Sequence, residues 1–330
     1  MNHPVLEVRD LKMHYTIKGG SVKAVDGVTF SLAKGEALGV VGESGCGKTS
    51  LAMAILRLLT ENASFVSGSI FFSKDGDKID LVRLGEEEMR RYRWKEISMI
   101  FQAAMNSLNP VYRVGDQIAE AMRTHFPGIS KEEISDRISY LFRLVGLDPA
   151  RVNRYPHEYS GGMKQRAIIA MALICNPSVV IADEPTTALD VIVQGRILKR
   201  LRNIQEESKT SIIYISHDIA AIAQVCDRIA IMYAGKIVEL AGTAAILKRP
   251  AHHYTSALMA AFPSITGQKK KLVAIEGEPP DLVNPPVGCR FASRCGAAEK
   301  ICFESEPECA EIGEEHLAAC HFPLEVEIHA

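Results

Sequence analysis

Residues 42–49 read Gly-Glu-Ser-Gly-Cys-Gly-Lys-Thr, and the arrangement around this stretch decides the fold. The apolar run at 37–41 predicts a buried parallel strand before it, and the run at 51–59 predicts a helix after it. A glycine-rich turn between a strand and a helix forms a phosphate-binding loop, because backbone N–H groups and the helix N-terminus converge on an anion. We therefore predict an α/β core that binds a nucleoside triphosphate.

The residue types of this loop suit a triphosphate with its Mg²⁺ ion. Glycines let the N–H groups turn inward, Lys48 can reach the outer phosphates, and the Thr49 hydroxyl can ligate Mg²⁺. The residues expected to contact the nucleotide are Gly42, Glu43, Ser44, Gly45, Cys46, Gly47, Lys48, Thr49 and Ser50. The simpler alternative is a glycine-rich turn beside an unrelated lysine, and the full pattern in its strand–helix context disfavours it.

Composition limits the class of protein. The chain has 330 residues, 47% of them hydrophobic, which suffices for one large domain or two smaller ones. Its net charge is −2, from 38 basic and 40 acidic residues, so no strong field favours nucleic acid or an anionic membrane. The first residues lack a signal-peptide pattern, and no apolar stretch approaches the ~20 residues that span a bilayer. We expect a cytoplasmic protein, or one that is peripheral on a partner.

Three predicted strands of the core end in polar side chains. They are 97–101 followed by Gln102, 179–182 followed by Asp183 and Glu184, and 211–215 followed by Ser216 and His217. Open α/β sheets bind ligands at the carboxyl ends of their strands. Asp183 can hold the water shell of Mg²⁺, and Glu184 can orient or deprotonate an attacking water. A structural role is the common alternative for a lone histidine such as His217.

Two predicted strands, 5–11 and 22–31, precede the loop and are joined by a glycine turn. Tyr15 lies between them, and its ring either packs against the sheet or stacks on a nucleobase. The sequence alone leaves both readings open. The other predicted elements are a strand at 68–72, a charged solvent-facing helix at 86–95 and a hairpin at 228–240 that turns at Gly235.

Residues 114–175 have a mostly helical pattern and form an insert between strands of the core. Within it, Ser160, Gly161 and Gly162 open an apolar helix. Free N–H groups and a hydroxyl at a helix start can bind an anion, but an ordinary N-cap explains the same residues. On local physics alone, the cap is the better interpretation.

With these stretches placed, the chain resembles the nucleotide-binding subunits of ABC transporters from residue 5 to about residue 250. The matched motifs are Walker A at 42–49, the Q-loop at Gln102, the signature at 159–163, Walker B at 179–184, the D-loop at 188–190 and the switch histidine at His217. Tyr15 falls where this family has its adenine-stacking aromatic residue. Walker A is common to many NTPases, whereas Ser-Gly-Gly shortly before Walker B is specific to this family.

The resemblance implies a RecA-like P-loop NTPase core with an N-terminal antiparallel β subdomain and an inserted helical subdomain at about 103–175. It implies ATP as the nucleotide, with catalytic roles for Glu184, His217 and Gln102. Gln102 would also join Thr49 as a Mg²⁺ ligand. The further nucleotide contacts that it implies are Tyr15, Asp183, Ser160, Gly161, Gly162 and Asp190.

The signature departs from the family pattern Leu-Ser-Gly-Gly-Gln at two positions, Tyr159 and Met163. The anion-binding part between them is intact. Because a thioether cannot donate the hydrogen bonds of a glutamine amide, we expect a weaker contact at Met163.

Four further pieces are similar to the ATPases of oligopeptide and dipeptide importers. They are 106–110, 253–255, 277–280 and 288–291. The resemblance implies a nucleotide-binding domain at 1–250 and a C-terminal extension at 251–330. It also implies permease partners, a second ATP-binding subunit and, indirectly, an extracytoplasmic solute-binding protein, with the chain peripheral on the cytoplasmic side of the membrane. Nickel importers and related solute importers share parts of this pattern, which leaves the cargo open.

Five of the eight cysteines crowd the C-terminal end, namely Cys289, Cys295, Cys302, Cys309 and Cys320. Zinc sites favour pairs of ligands separated by ~2–4 residues, and this spacing is absent here. Four thiolates from a loop-rich tail suit a [4Fe–4S] cluster, with Zn²⁺ or free thiols as alternatives. Relatives with this tail are similar in carrying such a cluster, and their pattern leaves out Cys309. We expect a structural cluster in a tail separate from the phosphate-binding loop.

Two other functions compete with transport. Soluble ABC proteins act in DNA repair or translation, but those usually carry two nucleotide modules or a long coiled coil. This chain has one Walker A and no sustained heptads, and its charge disfavours a nucleic-acid groove. A redox-sensing ATPase whose active part is the cysteine tail is the other alternative.

Overall fold

The computed structural model describes residues 4–102, 107–186, 190–261 and 275–324. The strands are β1 (Leu6–Ile17), β2 (Gly20–Leu32), β3 (Ala37–Val41), β4 (Ala63–Lys74), β5 (Asp77–Asp80), β6 (Ile97–Ile100), β7 (Val179–Asp183), β8 (Ser211–Ser216), β9 (Arg228–Tyr233), β10 (Lys236–Gly242), β11 (Ala310–Gly313) and β12 (His316–Ala318). The α-helices are α1 (Lys48–Ile55), α2 (Glu86–Arg90), α3 (Val114–His125), α4 (Lys131–Val145), α5 (Gly161–Leu173), α6 (Val191–Ser208), α7 (Ile219–Ile222), α8 (Thr243–Lys248), α9 (His253–Ala261) and α10 (Lys300–Glu304).

The larger sheet has the strand order β11-β12-β10-β9-β3-β8-β7-β6. Strands β6, β7, β8, β3 and β9 run parallel, whereas β10, β12 and β11 are joined to them by antiparallel pairings. Every residue of β3 and β7 is buried, as expected for strands that are covered on both faces. The parallel run places the carboxyl ends of β3, β8, β7 and β6 along one edge of the sheet.

A second, antiparallel sheet has the order β2-β1-β4-β5. Strand β3 lies between two apolar cores because its side chains alternate. Leu38 and Val40 pack with α1 and the antiparallel sheet, and Ala37 and Val41 pack with the core that includes α3 to α6. Helices α3, α4 and α5 lie between β6 and β7 in the chain. No helix among the described residues is long and apolar enough to cross a membrane.

Most predicted core elements are present, with shifted ends. The strand at 37–41 has the predicted bounds, and β6, β7 and β8 agree within one residue at each end. The helix predicted at 51–59 was wrong at both ends, because the polar Lys48 already begins α1 and Arg57 adopts a left-handed conformation with φ 51°. Strands β1, β2 and β4 are longer than predicted.

The C-terminal segment, which we define as residues 275–324, was expected to be separate from the core, and this expectation was wrong. Its strand β12 pairs with β10, with Glu239 opposite Ala318, and β11 pairs with β12. The segment therefore continues the sheet that carries the phosphate-binding loop. The pairing satisfies the edge of β10, which would otherwise expose unpaired backbone groups.

Candidate nucleotide-binding site

The predicted site residues follow neighbouring strands of the parallel sheet. The loop follows β3, His217 follows β8, Asp183 ends β7 with Glu184 next, and Gln102 lies two residues beyond β6. Because these strands are adjacent and parallel, their polar ends share one edge. Topology therefore assembles the site from four distant stretches.

Glycine is required in the phosphate-binding loop for two reasons. A Cβ at Gly42 would lie 2.0 Å from the carbonyl oxygen of Met232. Gly47 has φ 105°, and a Cβ there would lie 2.0 Å from the carbonyl oxygen of Ala24. Gly47 is also the N-cap of α1 and offers no side-chain cap. The first N–H groups of α1 are thus left for a ligand.

Lys48 is buried, with its ammonium group directed back into the loop. Its Nζ donates hydrogen bonds to the carbonyl oxygens of Gly42, at 2.8 Å, and Glu43, at 2.9 Å. This arrangement holds the cation against the backbone of the loop. It can transfer these hydrogen bonds to phosphate oxygens with little movement.

Asp183 has the environment of a cation ligand. The residue is 1% exposed, and neither carboxylate oxygen meets the geometry of a hydrogen bond. Burial raises the pKa of Asp183, and so does the charge of Glu184, while the nearby Thr49 hydroxyl and Lys48 lower it. A buried carboxylate without a partner is costly, so the pair Asp183 and Thr49 fits a Mg²⁺ ion well.

Glu184 is held by both of the other residues predicted to be catalytic. Its Oε2 accepts a hydrogen bond from Nε2 of Gln102 at 2.9 Å, and its Oε1 lies 2.9 Å from Nδ1 of His217. The backbone of Glu184 is left-handed, with φ 45°, and its N–H donates to the carbonyl of Ile215. Such a conformation is uncommon for glutamate and is typical of a functional site.

Tyr15 lies on β1 beside the start of α1. Its hydroxyl donates a hydrogen bond to Oγ of Ser50 at 3.2 Å. The structure therefore places the ring next to the loop and gives its hydroxyl a partner.

The signature stretch begins α5, with Ser160 as its N-cap. Tyr159 is 5% exposed and donates to the carbonyl of Arg151 at 2.7 Å, and burial raises its pKa to about 12. The unusual tyrosine is thus anchored in the apolar core. Met163 is partly buried against that core, and its backbone N–H donates a hydrogen bond to Oγ of Ser160 at 3.4 Å.

Two signature residues and Asp190 share a cavity that is not lined by the phosphate-binding loop among the described residues. Ser160, Gly162 and Asp190 line a cavity of about 660 Å³ beside α5 and α6. Among the described residues, none from the phosphate-binding loop lines this cavity. Asp190 caps α6 by accepting from the N–H of Val193 at 2.9 Å. The preceding D-loop residues, 188 and 189, lie outside the described ranges.

One set of contacts was missed from the sequence. Arg294 binds the carboxylate of Glu43 through two hydrogen bonds of 2.7 and 3.0 Å, and Tyr254 accepts from the N–H of Glu43 at 3.0 Å. No local rule pairs two residues that are 251 positions apart.

The four matched cysteines are neighbours in space. The N–H of Cys289 donates to the carbonyl of Cys302 at 2.8 Å. The pKa of Cys289 is raised to about 11, chiefly by burial and to a lesser extent by the charges of Cys320, Cys302 and Cys295. Burial also raises the pKa of Cys309, with no contribution from another cysteine. Within the described ranges, no three His, Cys, Asp or Glu side chains form a group that could hold a metal ion.

Comparison with known proteins agrees with this geometry. The family model for ABC transporters matches residues 25–187, and the model for the oligopeptide/dipeptide transporter C-terminal region matches residues 238–302. The oligopeptide transport ATP-binding protein OppD of Bacillus subtilis is 48% identical over 316 residues, which cover 94% of this chain and 87% of the relative. This chain is an ABC transporter ATP-binding protein of the oligopeptide/dipeptide family.

Other relatives support this assignment to the ABC ATPases. The dipeptide transport ATP-binding protein DppD of Bacillus subtilis is 44% identical over 319 residues, covering 96% of this chain and 94% of the relative. A dimeric ATP-binding cassette, solved in a post-hydrolysis state with ADP and phosphate, is 25% identical, with a TM-score of 0.64. It covers 72% of this chain and 98% of that one. The chain therefore has the ABC ATPase cassette fold.

Proposed function

We propose that this ABC ATPase powers an importer of dipeptides or oligopeptides. The observation that carries the proposal is the grouping of Glu184, Gln102 and His217 beside an unpartnered Asp183, at the strand edge that holds the phosphate-binding loop. This arrangement supplies a phosphate cradle, a cation site and a carboxylate base. The relatives described above supply the cargo class.

The phosphate-binding loop and Lys48 bind the outer phosphates of ATP in this mechanism. Asp183 and Thr49 would hold Mg²⁺, with Gln102 as a further ligand, and the ion when bound neutralises charge that develops on the phosphates. Glu184 accepts a proton from water as the water oxygen attacks the γ-phosphorus. The bond from the γ-phosphorus to the β–γ bridging oxygen then breaks, giving ADP and phosphate. His217 and Gln102 orient Glu184 for this step.

A second ATP-binding subunit completes the site. Ser160 and Gly162 line a cavity without residues of the phosphate-binding loop, so a single chain offers two half-sites. We propose that each ATP lies between the loop of one subunit and the signature of the other, in a homo- or heterodimer. ATP would then close the dimer, and hydrolysis would open it.

Permease subunits are the proposed partners at the membrane, with the chain peripheral on the cytoplasmic side. Three large apolar side chains between residues 101 and 112 of the chain face solvent, with exposed fractions of 42% for Phe101, 72% for Val111 and 57% for Tyr112. Exposed apolar groups in one region are typical of an interaction surface. A solute-binding protein would deliver the peptide to the permease.

Co-purification from the native host tests this assignment. We expect the chain to be recovered with permease subunits and a second cassette, and the Glu184→Gln variant to form a dimer with ATP. Recovery with ribosomes or DNA instead would support the soluble ABC class. Recovery with a permease whose complex imports nickel but no peptide would support the assignment to an importer and contradict the assignment of peptides as the cargo.

We also propose that residues 251–330 form a C-terminal extension that carries a [4Fe–4S] cluster and packs onto a nucleotide-binding domain at 1–250, which includes a helical subdomain at about 103–175. Its ligands would be Cys289, Cys295, Cys302 and Cys320. Burial raises the pKa of Cys289, Cys295 and Cys320, and backbone N–H groups that bond their sulfurs oppose part of this shift, namely Phe291 for Cys289, Ala297 for Cys295, and Phe322 and His253 for Cys320.

Metal analysis after anaerobic purification tests the cluster. We expect about four irons per chain. Replacement of any of the four ligand cysteines by serine should remove the iron, and Cys309→Ser is the matched control that should retain it. Stoichiometric zinc would support the zinc alternative, and a chain without metal would support the alternative that the cysteines are free thiols.

A further inference from the structure

Glu43 is the second residue of the phosphate-binding loop, and its polar groups are all engaged. Its N–H donates to the Tyr254 hydroxyl, and its carbonyl oxygen accepts from Lys48. Its carboxylate accepts two hydrogen bonds from Arg294. Two of these three partners come from beyond residue 250. The loop is therefore held in part by residues far from it in sequence.

The side chain of Arg294 is held in place by partners other than Glu43. Its side chain is only 4% exposed, and its guanidinium also donates to the carbonyls of Ile275 and Glu276, at 3.3 and 3.0 Å. It donates to the Tyr233 hydroxyl at 3.2 Å as well. The hydrogen bond to Glu43 is the main cause of the raised pKa of Arg294, and burial acts in the opposite direction. Arg294 thus presents a permanent, rigidly held positive charge.

The negative charge of Glu43 lies in a loop that binds an anion, and Arg294 compensates it. A carboxylate in a loop that binds a triphosphate would repel it, since like charges at short range disfavour each other. A bidentate guanidinium cancels that charge and also fixes the direction of the side chain. Since the Glu43 carbonyl is a partner of Lys48, the same contact fixes part of the cradle.

We propose that Arg294 is a positioning residue of the nucleotide site, which neutralises Glu43 and holds the phosphate-binding loop in its binding conformation. The proposal rests on the ATPase function given above and extends it, because the C-terminal segment becomes part of the nucleotide site. Arg294 acts on ATP through Glu43 and is not itself expected to touch the nucleotide.

Nucleotide binding to a set of variants tests this proposal. The dissociation constant of AMP-PNP with Mg²⁺ is measured for wild type, Arg294→Ala, Arg294→Lys and Glu43→Gln, and for the double variant Glu43→Gln/Arg294→Ala. We expect Arg294→Ala to weaken binding roughly tenfold, as one unpaired charge close to a polyanion should. Arg294→Lys keeps the charge without the two-pronged contact and should recover part of the affinity, and Glu43→Gln supplies the reference background for the double variant.

The double variant separates positioning from mere support of the fold. If Arg294 acts through the charge of Glu43, its loss should matter much less once that charge is absent. A purely structural role, through the carbonyls of Ile275 and Glu276, predicts the same loss in both backgrounds and would overturn the proposal. Should Arg294→Ala not fold, Arg294→Gln removes the charge while retaining a polar side chain with an apolar stem, and it carries the same expectation.

Lys300→Ala is the matched control, because this cation of the same segment is 88% exposed and pairs only with its helical neighbour Glu304 among the described residues. Its affinity for AMP-PNP should equal that of wild type. If wild type itself does not bind AMP-PNP, the ATPase function fails. If wild type binds and Arg294→Ala binds equally well, the positioning role alone fails.

Discussion

The phosphate-binding loop and the C-terminal segment touch each other, yet sequence specifies them in different ways. The motif of the loop can be recognised within eight consecutive residues, such as the glycines at 42 and 47 and the lysine at 48. The segment is set by distant partners, such as Glu43 for Arg294 and β10 for β12. The contrast teaches that a chemical motif can be found locally while the structure that supports it depends on the whole fold.

The largest expected effect lies on the catalytic side of this comparison. Glu184→Gln should lower the rate of ATP hydrolysis by ~10²–10⁴-fold, because the water loses its proton acceptor. The affinity for ATP should stay near that of wild type, since the phosphate cradle is unchanged. Glu314→Gln, an exposed carboxylate in the C-terminal segment, is the control for steady-state kinetics. Near-normal hydrolysis by Glu184→Gln would remove Glu184 from the mechanism.

Substitution of one glycine in each region compares how tightly the two regions are constrained. Gly47→Ala should abolish tight ATP binding and destabilise the chain by about 2–4 kcal/mol, because the backbone is left-handed and the new Cβ meets the carbonyl of Ala24. Gly296→Ala, in the C-terminal segment, should change stability by less than about 1 kcal/mol, since nothing lies within 4 Å of its Cβ. Chemical denaturation and nucleotide titration would measure both. Equal effects would mean that the loop is not sterically constrained as described.

A pH effect tests the junction where the C-terminal segment meets the core. Burial lowers the pKa of His252 to about 4, as does the charge of His253, while that of Glu239 opposes this shift. The unfolded chain therefore binds a proton at His252 that the folded chain excludes. Stability should fall as pH drops from about 6.5 to 4, by at most about 3 kcal/mol from this group.

The matched variant is His252→Asn, which retains an acceptor where Nδ1 accepts from the N–H of Tyr254. Denaturation at pH 4.5 and 7 should show a smaller difference for this variant than for wild type. An identical difference would show that His252 does not contribute to the acid sensitivity.

The smallest effect is expected at the edge of the loop. Tyr15→Phe removes only the hydrogen bond to Ser50 and should raise the dissociation constant of ATP by less than roughly threefold. Tyr15→Ala also removes the ring and should raise it more, if the ring stacks on adenine. Equal losses in both variants would assign the effect to the hydroxyl and contradict stacking.

The parts of the fold that were predictable from the sequence share a local cause. The strand at 37–41 is a continuous apolar run, and Asp183 and Glu184 directly follow another one, so both were located from pattern alone. The bounds of the helix after the loop were predicted wrongly because α1 begins at Lys48, a polar residue of the phosphate-binding loop. Hydrophobic periodicity cannot reveal a helix that begins at a functional residue.

The remaining features depended on tertiary contacts. Strands β11 and β12 have four and three residues, too few for a periodic pattern, and they form because β10 offers an edge. The ion pair of Arg294 with Glu43 joins two residues that no motif connects. The burial of Tyr159 and its hydrogen bond to the carbonyl of Arg151 could not be predicted from the sequence either. These contacts hold the start of the altered signature against the core.

Transport and hydrolysis measured together would test the central claim most directly. The chain is reconstituted in vesicles with the proposed partners, namely a permease, a second cassette and a solute-binding protein, and uptake of a labelled peptide is followed alongside phosphate release. We predict peptide uptake that requires ATP and is lost, together with hydrolysis, when Glu184→Gln replaces the wild-type chain. Peptide uptake that continues without hydrolysis, or hydrolysis that drives no peptide uptake, would contradict the account.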